Sequence, residues 1–346
     1  MSDNLLFSKY RNDWRGDWVI QLGIVGCGGI AHAHLTAVRA LVDLCKISVV
    51  FDEDASRAQA FAQEIGTDAK TASTADELFA YGIDAVIICT PNHSHEAYVE
   101  MAALYRIAVL CEKPLAHDLE SAARMVHMVE KAGITNMVGF VNRHQPGIIK
   151  MRRALQDGVM GNIVSYMEIC SGARLANPEI GMEWRMRREV AGGGAVADFG
   201  SHSFDMSTWL LEPLCGPLTH LMGNVSTFIP RAGSMPTNDD AAMLSGRFAS
   251  GALMSVLDSR VGPGFYRVEI IGLKGFMTFD ARTPQNLDVH LYDGSTYEGP
   301  IKDCTEPSFV GQMRQFLSAV SEQRPADPSL ARGLFVQRMI EKVRDL

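Results

Sequence analysis

The 346-residue sequence contains no C-x-x-C pair, and its seven cysteines are odd in number, several of them inside apolar runs. That usage excludes a disulfide framework and a cysteine zinc site, and it implies a reducing compartment, expected to be the cytoplasm. No run approaches the ~18 apolar residues of a membrane span. The first twenty residues hold no continuous apolar stretch fit for a signal peptide. A basic excess is also missing: the formal net charge is −8 and the pI near 5.7, which excludes nucleic acid as the main partner, because phosphate binding needs a basic face. Internal repeats and low-complexity segments are absent, and no metal is expected.

Apolar residues make up 47% of the chain and charged residues 21%, the balance of a soluble globular protein. The length suggests two domains, each with its own core. From residue 19 to 140, short apolar runs alternate with helical patterns: strands at 18–26, 47–52, 84–90, 107–113 and 135–141, with helices between them. One short helix is expected to start near Ser73 and Asp76, and Asp118 is expected to cap another. Unbroken apolar strands alternating with helices signal a parallel sheet covered on both faces. After about residue 145 the pattern changes to a helix at 147–157 and longer strands at 163–173, 241–260, 266–281 and 287–293. Ser250–Gly251 and Lys274–Gly275 mark hairpins within a largely antiparallel sheet, and two helices close the chain. The expected division is an N-terminal extension (1–18), a doubly wound α/β domain (19–140) and an α+β domain (141–346) whose final helices can pack back on the first.

The stretch GIVGCGGIA places Gly26-x-Gly28-x-x-Ala31 directly after a strand and at the opening of a helix. Gly26 permits the tight turn, Gly28 lets backbone approach a pyrophosphate, and Ala31 allows close helix–strand packing. With Gly29 and Ile30, these residues present helix N-terminal N–H groups to phosphate. A second strand ends at Asp52, at the spacing expected of an acid that accepts hydrogen bonds from a ribose. Glu53 repels a 2′-phosphate and no arginine follows directly, so NAD is expected in preference to NADP.

Two further strand ends carry polar clusters, CTPNHSH (89–95) and CEKP (111–114). In open parallel sheets, ligands sit beyond the carboxyl ends of the strands. Thr90, Pro91, Asn92 and His95 are therefore candidate cofactor contacts, together with Glu112 and Lys113. Lys113 has two readings, a group aimed at substrate or a side chain with its ammonium in bulk water. His93 and His95 are equally open to a plain reading as exposed imidazoles. In AGGGAVADFGSHSFDMSTWLL (191–211), Asp198, His202 and Asp205 fall at i, i+4 and i+7 of one helix. That stripe reads either as a solvent face or as a carboxylate that orients a histidine for proton transfer.

GIVGCGGIAHAH, CTPNHSHEA, CEKPLA, GFVNRH, EWRM and GGGAVADFGSHSFD occur in this order. Together they resemble the glucose–fructose oxidoreductase, inositol dehydrogenase and rhizopine-catabolism family, Gfo/Idh/MocA. The resemblance implies an N-terminal Rossmann domain and a C-terminal α+β domain whose large open sheet makes subunit contacts, in a homodimer or homotetramer. It implies hydride transfer between a nicotinamide cofactor and a secondary alcohol or ketone of a sugar, cyclitol or glycoside. Lys113 takes the place of the E-K-P lysine, and Asp198 with His202 the D-x-x-x-H pair. Asp205 takes a substrate-binding position; Asn142 and Arg143 line the site, and Trp184 and Arg185 match a pair near the cofactor. The expected chemistry is proton acceptance by His202, oriented by Asp198, with Lys113 hydrogen-bonded to the reacting oxygen. Two alternatives stand beside it: a redox-neutral, NAD-dependent glycosidase or lyase, and a non-catalytic nicotinamide-binding sensor.

Overall fold

The structure, a computed structural model, describes residues 19–66, 69–231, 233–297, 299 and 305–344; the expected extension at 1–18 lies outside them. Six parallel strands form the first sheet: β1 (Ile20–Val25), β2 (Cys45–Phe51), β3 (Lys70–Thr71), β4 (Ala85–Ile88), β5 (Ala108–Cys111) and β6 (Asn136–Val138), in the order β3-β2-β1-β4-β5-β6. Between them run α1 (Gly29–Ala40), α2 (Ala55–Ile65), α3 (Ala75–Phe79), α4 (His95–Tyr105) and α5 (Leu119–Ala132). Alternate strand residues enter opposite cores. Ile24, Ile87 and Leu110 pack with α1 and α2, and Val25, Val86 and Val109 with α4 and α5. This is why the strands read as unbroken apolar runs.

The caps are local. Asp54 accepts from the amides of Ser56 and Arg57, and Asp118 from that of Ser121. The α3 cap is Thr74 rather than Ser73 or Asp76: its hydroxyl accepts from Glu77 N at 3.1 Å while Glu77 reaches back to Ser73 N.

The chain then passes through α6 (Pro146–Gln156), β7 (Ile163–Ser171), α7 (Arg188–Ala191), α8 (Ala195–Asp198), α9 (Gly200–Cys215) and β8 (Leu218–Ser226). The strands β9 (Ala241–Phe248), β10 (Leu253–Ser259), β11 (Phe265–Gly272), β12 (Gly275–Asp280) and β13 (Asp288–Leu291) follow, and α10 (Ser308–Ser321) and α11 (Leu330–Arg344) end the described chain. The second sheet runs β13-β12-β11-β7-β10-β9-β8, antiparallel except for β7 with β10. Strand β8 was not anticipated from the sequence; its residues alternate weakly and lie mostly exposed. Helix α10 buries Val310, Met313 and Phe316 in the core of the first sheet, and α11 packs against α5, α9 and β8.

The helix expected within 191–211 forms as two segments that meet at Phe199, and it has no solvent face along the site: most of α9 is buried, Ser201 through Thr208 without exception. Beneath it sit two buried acids of the sheet. Ser203 Oγ donates to Asp258 Oδ1 at 2.9 Å, and Tyr166 OH donates to Glu168 Oε2 at 2.5 Å. Burial pushes the Glu168 carboxyl up to about 7 and that of Asp258 well above its usual range. A raised folded-state pKa favours folding below the unfolded value near 4.5 and loses that contribution as pH rises through about 7. Thermal melts from about pH 4 to 8 are therefore expected to show Glu168→Gln gaining on the native protein as pH rises to about 7, with no further gain above it. Parallel melting curves would contradict the buried neutral acid.

Candidate active site

The strand order reverses between β1 and its neighbours β2 and β4, which opens a crevice at the carboxyl ends of the strands. A cleft of about 540 Å³ lies there, walled on one side by Gly29, Ile30, Thr90, Asn92, Glu112 and Lys113. Leu175, Trp184, Arg185, Asp198, Phe199 and Arg260 form the other side.

On the first wall, Gly26 has φ +88°, and a Cβ there would come within 2.8 Å of the backbone of Cys89 and Thr90. Only glycine suits that turn. Gly28 and Gly29 face open space, with nothing within 4 Å of an added Cβ, and no side chain caps α1. The hydroxyl oxygen of Thr90 is buried without a partner. Free amides, open glycines and an orphaned hydroxyl fit the pyrophosphate of a dinucleotide. Asp52 braces the turn: Oδ2 accepts from Cys27 N at 2.8 Å, and Oδ1 from Asp54 N at 2.9 Å. An arginine does stand near, since Arg57 Nη1 lies 3.5 Å from Asp52 Oδ1. One helical turn brings it back from a position too distant to notice in sequence.

Of the polar cluster after β4, Asn92 is fixed by donating to Ala191 O at 2.8 Å, while Pro91 is half-buried outside the lining. His95 is neither an exposed imidazole nor a cleft residue. It is 0% exposed, with Nδ1 3.0 Å from Leu115 O and Nε2 3.0 Å from Thr90 O, and both ring nitrogens are committed to backbone. It ties the turn after β4 to the turn after β5. His93 is exposed.

Lys113 crosses the cleft. Its Nζ donates to Asp198 Oδ1 at 2.7 Å and to Asp198 O at 2.9 Å. Burial pushes the Asp198 carboxyl up, but the neighbouring ammonium outweighs it and holds the group down at about 2. The expected arrangement is thereby altered: Asp198 pairs with Lys113, and no hydrogen bond joins it to His202. His202 is 8% exposed, lies outside the cleft lining, and packs edge-on to Phe140 with its Nδ1 unpartnered. Burial, then the Lys113 ammonium, push its pKa down to about 3, so the imidazole is neutral. Behind Lys113, Glu112 Oε1 lies 2.8 Å from His34 Nε2 on α1; burial raises its pKa, but the contact with His34 brings it below the usual value.

Asp205 and Arg143 are not on the cleft. Arg143 grips Asp205 through Nε at 2.7 Å and Nη2 at 2.5 Å, and Arg332 Nε adds a third contact at 2.7 Å. The carboxylate expected to bind substrate is consumed in a buried ion-pair network. Asn142, in the same turn as Arg143, is half-buried and also outside the lining. The Trp184 ring carries the Arg185 guanidinium 4.3 Å from its centroid, and both face the cleft. Arg174 and Leu175 also line the cleft, as do Phe199 and Arg260, which the sequence did not single out. Among the described residues, no cluster of His, Cys, Asp and Glu is suited to a metal ion.

The model of the oxidoreductase family with an NAD-binding Rossmann fold matches residues 20–140, and that of the GFO/IDH/MocA C-terminal domain matches residues 148–278. The chain belongs to the Gfo/Idh/MocA family. Inositol 2-dehydrogenase of Rhizobium meliloti is 28% identical over 91% of this chain and 93% of its own. The 2,7-anhydro-N-acetylneuraminate hydratase of Escherichia coli is 29% identical over 76% of this chain and 68% of its own. A levoglucosan dehydrogenase structure in complex with NADH superposes with a TM-score of 0.87 at 25% identity, covering 95% of this chain and 96% of that one. The chain is thus an NAD-dependent oxidoreductase of a sugar and cyclitol dehydrogenase family, with a Rossmann sheet and a C-terminal mixed sheet.

Proposed function

We propose that this protein oxidises a secondary alcohol of a sugar or cyclitol, using Lys113, Asp198 and His202. The observation that carries the reading is the Lys113–Asp198 contact at 2.7 Å, which sets an ammonium at the junction of the cofactor turn and the second wall. NAD, when bound, would supply the hydride acceptor; the Gly26–Ile30 turn, Thr90, Asn92 and Asp52 would hold it from one wall of the cleft, and Trp184 and Arg185 from the other.

An ammonium has three donors. Two of those on Lys113 are used by Asp198, and the third is free to donate to the reacting oxygen and stabilise it as its proton leaves. His202, neutral at ordinary pH and one helical turn from Asp198, is the group proposed to accept that proton. Asp198 fixes the lysine rather than the histidine. A general base contributes about 10²–10⁴-fold and an oxyanion donor about 10²–10³-fold. Losses of that size in kcat are expected for His202→Ala and Lys113→Ala, with NADH affinity by fluorescence titration unchanged in His202→Ala. Native turnover in both variants would remove the proposal. The first assay is NADH absorbance across a panel of sugars and cyclitols that includes inositol and levoglucosan.

A second reading is favoured by the relative named as a hydratase: a redox-neutral reaction in which the nicotinamide is returned to its starting state. Net NADH accumulation supports dehydrogenation; product without NADH supports the second reading. A non-catalytic sensor would have no use for the Lys113 contact.

The cytoplasmic assignment rests on free cysteines: Cys27, Cys45, Cys89, Cys111, Cys170 and Cys215 form no disulfide. Among the described residues, no helix is long and apolar enough to cross a membrane. The second sheet leaves one face uncovered. Ile169, Leu257 and Met243 form one exposed row across β7, β10 and β9, and Met167, Ser255, Ser245 and Met222 form another reaching β8. These apolar rows, bordered by Arg247 on β9 and by Arg267 and Glu269 on β11, need cover, and a second copy of the chain, as homodimer or homotetramer, supplies a matching face. Light scattering should give at least twice the chain mass, and Leu257→Asp should lower it; a native monomer would contradict this.

A further inference from the structure

The stretch TNDD, Thr237 to Asp240, precedes β9 and belongs to none of the motifs above, yet it is hydrogen-bonded to both elements of the second wall. Asp239 is buried, and its carboxylate accepts two backbone amides of the segment leading to Asp198: Gly194 N donates to Oδ1 at 2.8 Å and Val196 N to Oδ2 at 2.9 Å. Its carbonyl accepts a third, from Ala195 N, at 3.1 Å. The approach is so close that a Cβ on Gly194 would fall 1.9 Å from Asp239 O.

The bonds continue inward from there. Gly194 O accepts Asp198 N at 2.8 Å, Ala195 O accepts Phe199 N at 3.0 Å, and Phe199 O accepts His202 N at 2.9 Å. Next to Asp239, Asn238 Nδ2 donates to Arg185 O at 2.9 Å, and Arg188 N donates to Thr237 Oγ1 at 2.8 Å. Arg260 closes the frame, donating to Arg185 O at 2.9 Å and to Asp239 O at 2.6 Å.

We propose that Asp239 is a positioning residue for catalysis: its carboxylate sets the backbone that aims Asp198 and His202, and through Asn238 and Arg260 the same clamp holds Arg185 in register with them. The proposal rests on the reading of Asp198 and His202 given above. A carboxylate accepts both amides with charge assistance, whereas the carboxamide of Asp239→Asn has one acceptor oxygen and turns an N–H donor toward the second amide. A shift of about 1 Å in a reacting group costs on the order of 10²-fold in rate.

The test is Asp239→Asn, assayed on whichever panel alcohol the native enzyme oxidises fastest, together with hydrogen-exchange mass spectrometry of peptides covering 192–202. Expected are a fall in kcat of about 10- to 100-fold, KM and NADH affinity within about twofold of native, and faster exchange in 192–202 with peptides of the first sheet unchanged. A kcat within about twofold of native, or a loss confined to NADH affinity, overturns the proposal. Exchange in the native protein serves if the variant does not fold. Protected amides at 194–196 uphold the clamp, and amides there that exchange as fast as those of the exposed 233–235 turn overturn it. The exchange readout needs no turnover, so it fails separately from the catalytic reading.

Discussion

A single ion pair joins the two halves of this molecule at the point where chemistry is possible. Lys113 stands in the turn just after strand β5 of the first sheet; Asp198 closes the short helix α8 above the second. Neither sheet alone could hold either group in place. The lysine leaves a strand whose residues are wholly buried, and the aspartate stands at the head of a helix that is buried almost all round. Each charge is tolerated because the other neutralises it, and a partner left alone there would be an unpaired charge in a poorly solvated cleft. The pairing also leaves the lysine one free donor, which binding to water or burial in the core would not have aimed.

The layers beneath serve that contact. On the first side, the Glu112–His34 pair links the end of β5 to the helix of the glycine turn, so the lysine and that turn share one anchor. His95 does the same for the turns after β4 and β5 by bonding a carbonyl of each. On the second side, α9 is immobilised from three directions. Arg143 and Arg332 hold Asp205, Ser203 bonds the buried Asp258 of the sheet, and Asp239 holds the approach to α8. A helix so enclosed can keep His202 neutral and unpartnered, which an exposed helix could not.

The parts legible in sequence were those fixed by short-range rules. The glycine turn, the acid at the end of β2, the alternation of strand and helix, and the hairpins at Ser250–Gly251 and Lys274–Gly275 follow from backbone geometry and periodicity. Lys113 was also legible, as a charge at the end of an apolar run, and Asp198 as the first residue of a polar stripe on a helix. Their partners were not. Asp198, His202 and Asp205 do share a stripe, but a stripe fixes direction and not contact. Which cation meets each carboxylate was decided by Lys113, 85 positions away from Asp198, and by Arg143 and Arg332, 62 and 127 positions away from Asp205. His95 looked like a surface imidazole because nothing in its own segment announces the carbonyl of Leu115. Asp239 carried no signal, since an acid before a strand looks like any turn residue until the amides it accepts are seen.

The pairing of Lys113 with Asp198 as one functional unit is tested most directly by a double-mutant cycle on kcat/KM, with Lys113→Met, Asp198→Asn and the combination. Groups that act through one shared contact are strongly non-additive. The predicted result is a double variant about as impaired as the worse single variant. Losses that multiply would show two residues acting independently, and would contradict the account.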